Sequence, residues 1–583
     1  VSAGSQRQFS SRVRHAGVIN AKWAYKLTGE HATGEDYHWF DTVYAGPVPN
    51  NIPIAERIHD FSFRRYRGEG HVYYRVTPKS DIIVSGGGSK FTRLQVTTSG
   101  RNHMRDMSYG FIQAKYVHPR FFANVYNTWG NLGRSLNIAS YSRDFWNRSN
   151  GIGGYLTPDL AEKFATRPGN QLQEKSQRLN AEMQYNDTLQ QAGLIWAAGV
   201  NYQQEKPNGY GLSLIDSFER IKVTQYGAVL QLEKILPWQL RLIGATRYDH
   251  HSNFGDFIAP KVALVKSIGN GSLRATWGKA YSMPSILNQY SGINRFLFGN
   301  GAGIKYIPIG PKFSDPASIR YTTPLVPEEV SSWEFGFRGH LVKNLYADVN
   351  YYNAINRNFI SPTITVRGRV LEANNIPVIH NPVFAGVVRN DSLSNASFLT
   401  FLNYGKIKTQ GADLGLHYTF NKYLNIGLKY SWFHSDITKS DAKNDANGDT
   451  VLTRDEMALN APENRGAVII NLQNLYKQKL FITLAARYVE QYDFYSGNQI
   501  GTAAGKGSRG RIKVPGKADI LKNFDWGPLG GFTTVDLNLG FHFNSMCQVN
   551  VGVTNVFNSE QIEFVGSPSI GRLIMAELKI QLP

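Results

Sequence analysis

The sharpest chemical spacing in the chain is the twelve-residue stretch Asp445-Ala446-Asn447-Gly448-Asp449-Thr450-Val451-Leu452-Thr453-Arg454-Asp455-Glu456. Oxygen donors stand at its first, third and fifth places (Asp445, Asn447, Asp449). A backbone carbonyl is available at the seventh (Val451), and a carboxylate closes it at the twelfth (Glu456). Calcium takes about six to eight oxygens, and donors at this spacing fold round one point, so the stretch is expected to bind Ca²⁺. Thr450 departs from the pattern, because the turn at the sixth place normally takes glycine. A second candidate is Arg247, Asp249 and the pair His250-His251. Neighbouring residues in a strand point to opposite faces, so the two histidines can share a metal or ligand only if the chain turns there. Tyr290 and Tyr306, in the long connection 282–328, add aromatic, hydrogen-bonding loop surface, and these six residues are the expected ligand-binding set. Two basic stretches, Arg64-Arg65-Tyr66-Arg67 and the segment from Lys506 to Lys522, suit phosphates or an anionic ligand, or are simply solvated. No HExxH, GxSxG, Walker or zinc-knuckle spacing occurs, so no enzyme is expected. The one cysteine, Cys547, excludes a disulfide framework and a cysteine-based zinc site.

The elements that must position these groups are strands. Of 583 residues, 63 are Lys or Arg and 44 Asp or Glu, a net charge of +19. That balance favours anionic surroundings. Nucleic acid is not expected, because the cations are spread along the whole chain and no nucleic-acid module appears. No run approaches the roughly 18 apolar residues of a membrane helix. The dominant period is two. Val535, Leu537, Leu539, Phe541 and Phe543 alternate with Asp536, Asn538, Gly540 and His542. Ile574, Ala576, Leu578 and Ile580 alternate with Glu577 and Lys579. Such segments have one apolar and one polar face. Short turns, among them Asn186-Asp187, Asn270-Gly271 and Lys343-Asn344, alternate with long polar connections near 32–63, 131–174, 282–328, 360–404, 438–462 and 495–531. Helical stripes are nearly absent, and the best candidate is the short stretch Leu156 to Ala165 within a long connection. Pairs such as Tyr73-Tyr74 and Tyr351-Tyr352 crowd strand ends, as an interfacial girdle would. The expectation is an all-β, transmembrane antiparallel barrel of about 22 strands, with short periplasmic turns, long extracellular loops and a polar lumen.

Several strings then resemble one family. Leu325-Val326-Pro327-Glu328 with Trp333 to Arg338 is similar to the LxPE…ExGxR stretch of TonB-dependent outer-membrane receptors. Arg247-Tyr248-Asp249, Ala259-Pro260-Lys261 and Gly278 to Ser285 resemble their RYD…SPR…GxAFRxPS series. Gly411 to Leu414, Ala461 to Arg465 and Thr554 to Asn558 resemble their GVEL, APxHR and NLFN strings. The resemblance implies a barrel over residues 1–583 in the bacterial outer membrane. It implies TonB-energised uptake of a bulky, scarce nutrient of the siderophore-iron, cobalamin or glycan class. The expected partners are the TonB complex, reached through a plug domain not in this chain, the nutrient itself, and outer-membrane lipid with lipopolysaccharide. Val1 already begins a strand-like segment, so the chain is expected to be the barrel portion of a longer receptor. The alternative is a plugless, porin-like pore or surface-binding barrel.

Overall fold

The computed structural model describes every residue except 47–51, 98–99, 218, 294–296, 309–318, 362, 378–396, 404, 438–458, 493–528, 560, 562, 564–566 and 583. A closed antiparallel barrel of 22 strands runs through the whole chain. The three-residue strand Ser2–Gly4 closes it. Ala3 pairs with Phe9 on one side and with Ala576 of the last strand on the other. Full pairing matters because an open sheet edge in lipid would leave backbone N–H and C=O groups with no water to satisfy them.

Register follows the period of two. Cross-strand partners share a face, and one row reads Ala347, Leu416, Leu428, Val468, Ala486, Val535 across six adjacent strands. On the other face, three residues along, a row is polar: Asn350, Asp413, Ser431 and Arg465. There the Ser431 hydroxyl donates to Asp413 at 2.6 Å. The polar face lines the lumen and the apolar face meets lipid. Val535, Leu537, Leu539, Ile574, Leu578 and Ile580 lie outward, and Asp536, Asn538 and Lys579 inward, as the alternation requires.

The barrel has two unlike ends. One carries ten turns: 19–22, 78–79, 118–120, 190–193, 237–239, 269–270, 343–344, 420–423, 475–479 and 543–546. The other carries the connections 5–7, 36–61, 98–99, 132–174, 207–222, 252–254, 283–327, 358–405, 438–463, 490–531 and 555–572. Four details differ from the sequence reading. Connection lengths do not alternate strictly, because 5–7 and 252–254 are tight hairpins at the loop end and Thr97 pairs directly with Gly100. The connections 207–222 and 555–572 are additional loops. Asn186 and Asp187 lie within the strand Lys175–Leu189, and the turn falls at 190–193, where Gly193 supplies a positive φ of 57°. Tyr73 and Tyr352 face the lumen, so only Tyr74 and Tyr351 of those pairs join the outer girdle. Tyr74 packs there on Trp23 with ring centroids 4.6 Å apart.

The loops carry their own structure. Helix α1 (Ile138–Ser149) is capped by the Asn137 side chain, which accepts from the Ser140 N–H at 2.9 Å. Helix α2 (Pro158–Ala165) starts on proline, whose missing N–H costs nothing there. Segments of 283–327 and 358–405 form a separate small sheet. Ile304–Pro308 pairs with Ile364–Ala373, which pairs in turn with Ser397–Thr400. Its core is Phe298, Ile304, Val370, Ala373 and Phe398, joined by Ile215 from 207–222.

Candidate functional site at the barrel mouth

The lumen wall at the loop end is a ladder of amides and charges. Tyr126, Asn180, Gln203, Gln225 and His251 are cross-strand neighbours on the inner face. One step toward the mouth, Arg178 forms an ion pair with Glu205 across the same sheet. One step deeper, Arg247 donates to both oxygens of Asp249, at 2.6 and 2.7 Å, and to Asn201 at 3.0 Å. Gly227 sits between Asn201 and Asp249 in the register. A Cβ there would lie 2.3 Å from an Asp249 carboxylate oxygen, so the glycine makes room for the bridge.

Above this wall the loops are stitched to one another. Asn300 is fully buried and donates to the carbonyls of Thr323 and Phe401, at 2.9 and 2.8 Å, while accepting from the Thr322 hydroxyl at 2.7 Å. Gln289 donates to Pro284 O at 2.7 Å and accepts from the Asn253 amide at 2.7 Å, which joins 283–327 to the hairpin at 252–254. On the opposite rim Arg101 is buried against Glu56, with Nε at 2.9 Å, and donates to the Trp39 carbonyl at 2.6 Å. The α1–α2 pair is pinned by Tyr141, whose hydroxyl donates to the Glu162 carboxylate at 2.6 Å. Burial, and then the hydrogen bond to Glu162, push the Tyr141 phenol up to about 12.

Between wall and loops lies a cavity of about 1420 Å³. Asn102, Asn137, Arg178, Gln203, Gln225 and His251 supply its polar groups, and Leu214, Ile286, Leu399 and Phe401 its apolar ones. Amides that both donate and accept dominate, with apolar patches between them. Such a surface suits a bulky ligand dense in hydrogen-bonding groups, and the volume exceeds the roughly 300–1,000 Å³ of ordinary small-molecule sites.

The expected ligand-binding set is divided by this geometry. His251 is buried and lines the cavity, accepting from the Asn253 N–H at 3.1 Å. His250 points out of the barrel, stacked on Tyr226 at 4.8 Å and 2.7 Å from Asp256. The histidines stay in a regular strand, Leu240–His251, so they cannot share a ligand. Arg247 and Asp249 face the lumen below the cavity. Tyr290 accepts from Asn253 at 2.8 Å and packs on Leu214, Ile221 and Val223. Burial raises its phenol above the ordinary value. Tyr306 packs on Phe398 at 5.5 Å inside the loop sheet. Both tyrosines buttress the mouth rather than line it. The motif Arg64-Arg65-Tyr66-Arg67 is likewise divided. Arg65 pairs with Glu30, and Arg67 lies 3.3 Å from Glu69 in the lumen, while Arg64 and Tyr66 face outward. Asp445, Asn447, Asp449, Val451, Glu456 and the basic segment from Lys506 to Lys522 lie outside the described residues. Arg178, Glu205, Gln203 and Gln225 escaped the sequence reading. Their signal was the polar alternation of Lys175–Leu189, Leu194–Lys206 and Val223–Leu236, which marks a face but not its depth.

The family model described as TonB dependent receptor-like, beta-barrel, matches residues 18–556. Among solved structures, the ferric enterobactin receptor PfeA of Pseudomonas aeruginosa in complex with BCV-L6 is similar over 99% of this chain and 80% of that one, at 14% identity and a TM-score of 0.65. The siderophore receptor PirA of Acinetobacter baumannii is similar over 99% and 79%, at 14% identity and a TM-score of 0.63. The copper transporter OprC is similar over 99% and 79%, at 13% identity and a TM-score of 0.60. Comparison with curated protein sequences finds no match.

Proposed function

Because the chain belongs to the TonB-dependent receptor family of outer-membrane β-barrels, we propose that it takes up a bulky, scarce nutrient across the outer membrane with energy delivered by the TonB complex. The observation that carries this reading is the mouth cavity, walled by strand ends and roofed by loops that bond to one another. The ligand is of the siderophore-iron, cobalamin or glycan class. It is held by the amides of Asn102, Gln203 and Gln225 and by His251, with apolar contacts to Leu214, Leu399 and Phe401. A plug domain seated in the lumen would complete the floor and carry the pull from TonB. The roof of cross-bonded loops supports a receptor over a passive pore, because a pore gains nothing from a built cover. The same reading keeps Asp445, Asn447, Asp449, Val451 and Glu456 as a calcium loop at the rim, which would neutralise carboxylates that otherwise repel one another. Accumulation of labelled ferric siderophores, cobalamin and oligosaccharides by cells expressing the full-length receptor tests the proposal. One of these should accumulate only when TonB is present. Equal accumulation with and without TonB would support the pore instead.

A further inference from the structure

The two ends of the barrel differ in charge as much as in length. The ten turns hold seven basic residues, Lys22, Lys79, Arg120, Lys343, Lys422, Lys477 and Lys479, and no aspartate or glutamate. The eleven connections at the other end hold 26 Lys or Arg against 25 Asp or Glu. Between the two ends, the turns carry +7 and the longer connections +1; the remaining +11 of the chain's +19 lies on the strands. Arg120 is answered by Asp187 at 3.3 Å. The other six have no carboxylate partner among the described residues.

These cations sit within the outward aromatic girdle. Tyr476 and Phe420 share turns with lysines, Trp238 and Phe543 lie in turns of the same end, and the four are 71%, 51%, 83% and 53% exposed. Lys422 Nζ lies 5.0 Å from the Tyr423 ring centre, and Lys479 Nζ donates to the Phe543 carbonyl at 3.2 Å. The turns 190–193, 237–239, 269–270 and 543–546 lack a cation of their own; beside the first three stand the outward strand residues Lys234 and Lys266. Lys266 Nζ donates to the Trp238 carbonyl. Aromatic rings of this exposure rest at the depth of lipid headgroups, and ammonium groups on flexible stems reach the phosphates beside them.

We propose that the turn end is a belt for anionic phospholipid headgroups of the periplasmic leaflet. The partner is a phosphodiester lipid with net negative charge, such as phosphatidylglycerol. The distribution favours lipid over an acidic protein. The cations stand on six of the ten turns, with Lys234 and Lys266 in the interval between them, and lie among membrane-seeking rings, whereas a docked protein would need them on one arc facing the periplasm. A rim in which six of seven turn cations have no carboxylate partner among the described residues raises the local concentration of such lipids and anchors the barrel at fixed depth.

Lipid retention by the full-length receptor tests this. The receptor would be reconstituted in vesicles of phosphatidylethanolamine with phosphatidylglycerol, extracted in mild detergent, and its bound lipids counted by native mass spectrometry. Wild type should keep phosphatidylglycerol in preference to phosphatidylethanolamine. A variant combining Lys22→Gln, Lys343→Gln, Lys422→Gln, Lys477→Gln and Lys479→Gln should lose that preference, by on the order of fivefold or more. The matching Lys→Arg variant should retain it. Heat-modifiable gel mobility reports whether each variant has folded. If the Gln variant fails to fold, the wild-type preference alone decides. No preference in wild type, or equal preference in wild type and a folded Gln variant, overturns the proposal. So does binding of a glutamate-rich peptide at the turns without lipid preference.

Discussion

At the turn end the chain reverses in two to five residues, and positions are fixed by the register of the strands on either side. At the mouth, connections of up to 48 residues are fixed instead by bonds to each other: Arg101 to Glu56, Asn300 to two carbonyls, Gln289 to Asn253. The turn end is cationic and its contacts are local. The mouth is nearly neutral, and its contacts cross large sequence separations. The difference teaches where function resides in such a barrel. A wall set by alternation tolerates change at its turns, whereas a binding surface assembled from loops depends on a few buried polar links.

Mutations should reveal that contrast. The largest effect is expected at the mouth. Arg101→Leu leaves the Glu56 carboxylate buried without its partner, a loss of about 3–5 kcal/mol. Opening of 52–57, followed by hydrogen exchange, should rise accordingly while the barrel strands stay protected. Leu537→Arg in the wall puts a charge on the lipid face and should cost about 2–4 kcal/mol in a lipid-reconstituted unfolding titration. Asn538→Arg, one residue on and facing the lumen, should cost less than about 0.5 kcal/mol. Equal costs for the two would break the assignment of faces. Tyr141→Phe removes the bond to Glu162 and should loosen α1 against α2 by about 1–2 kcal/mol, read from proteolysis within 138–165. Because the Tyr141 phenol is pushed up to about 12, its contribution is whole below the unfolded value near 10 and is lost as pH rises toward 12. Trp146 fluorescence should report the change over that window and not below it. The smallest effect belongs to the turns. Lys343→Gln alone should leave stability within about 0.5 kcal/mol, and a large loss there would erase the contrast between the ends.

The legibility of the molecule follows the same division. Leu537 and Asn538 announce their faces because a strand has one degree of freedom once its period is known. The strand count and the inward position of Asp536 came with it. His250 and His251 could not be resolved, since the expectation of a shared site needed a turn and the strand continues through both. Arg178 and Glu205 lie 27 positions apart, and only the pairing of their strands brings them together. The loop sheet was invisible for the same reason. Ile304, Val370 and Phe398 belong to three separate stretches with no common period, and their packing is a property of the closed mouth. Leu156 to Ala165 did signal a helix, which begins at Pro158. Helix α1 did not, because Ser, Arg and Asn interrupt its apolar stripe.

The central claim is that the mouth cavity captures a nutrient whose entry TonB drives. Accumulation of the labelled nutrient would be followed in cells carrying wild-type receptor or Gln203→Trp, each with and without TonB. The indole of the variant projects into the cavity from the wall and replaces the Gln203 amide that would hold the ligand. Wild type should bind at the surface in both backgrounds and accumulate the nutrient only with TonB, and the folded variant should do neither. Accumulation that persists without TonB, or is unchanged by Gln203→Trp, would contradict it.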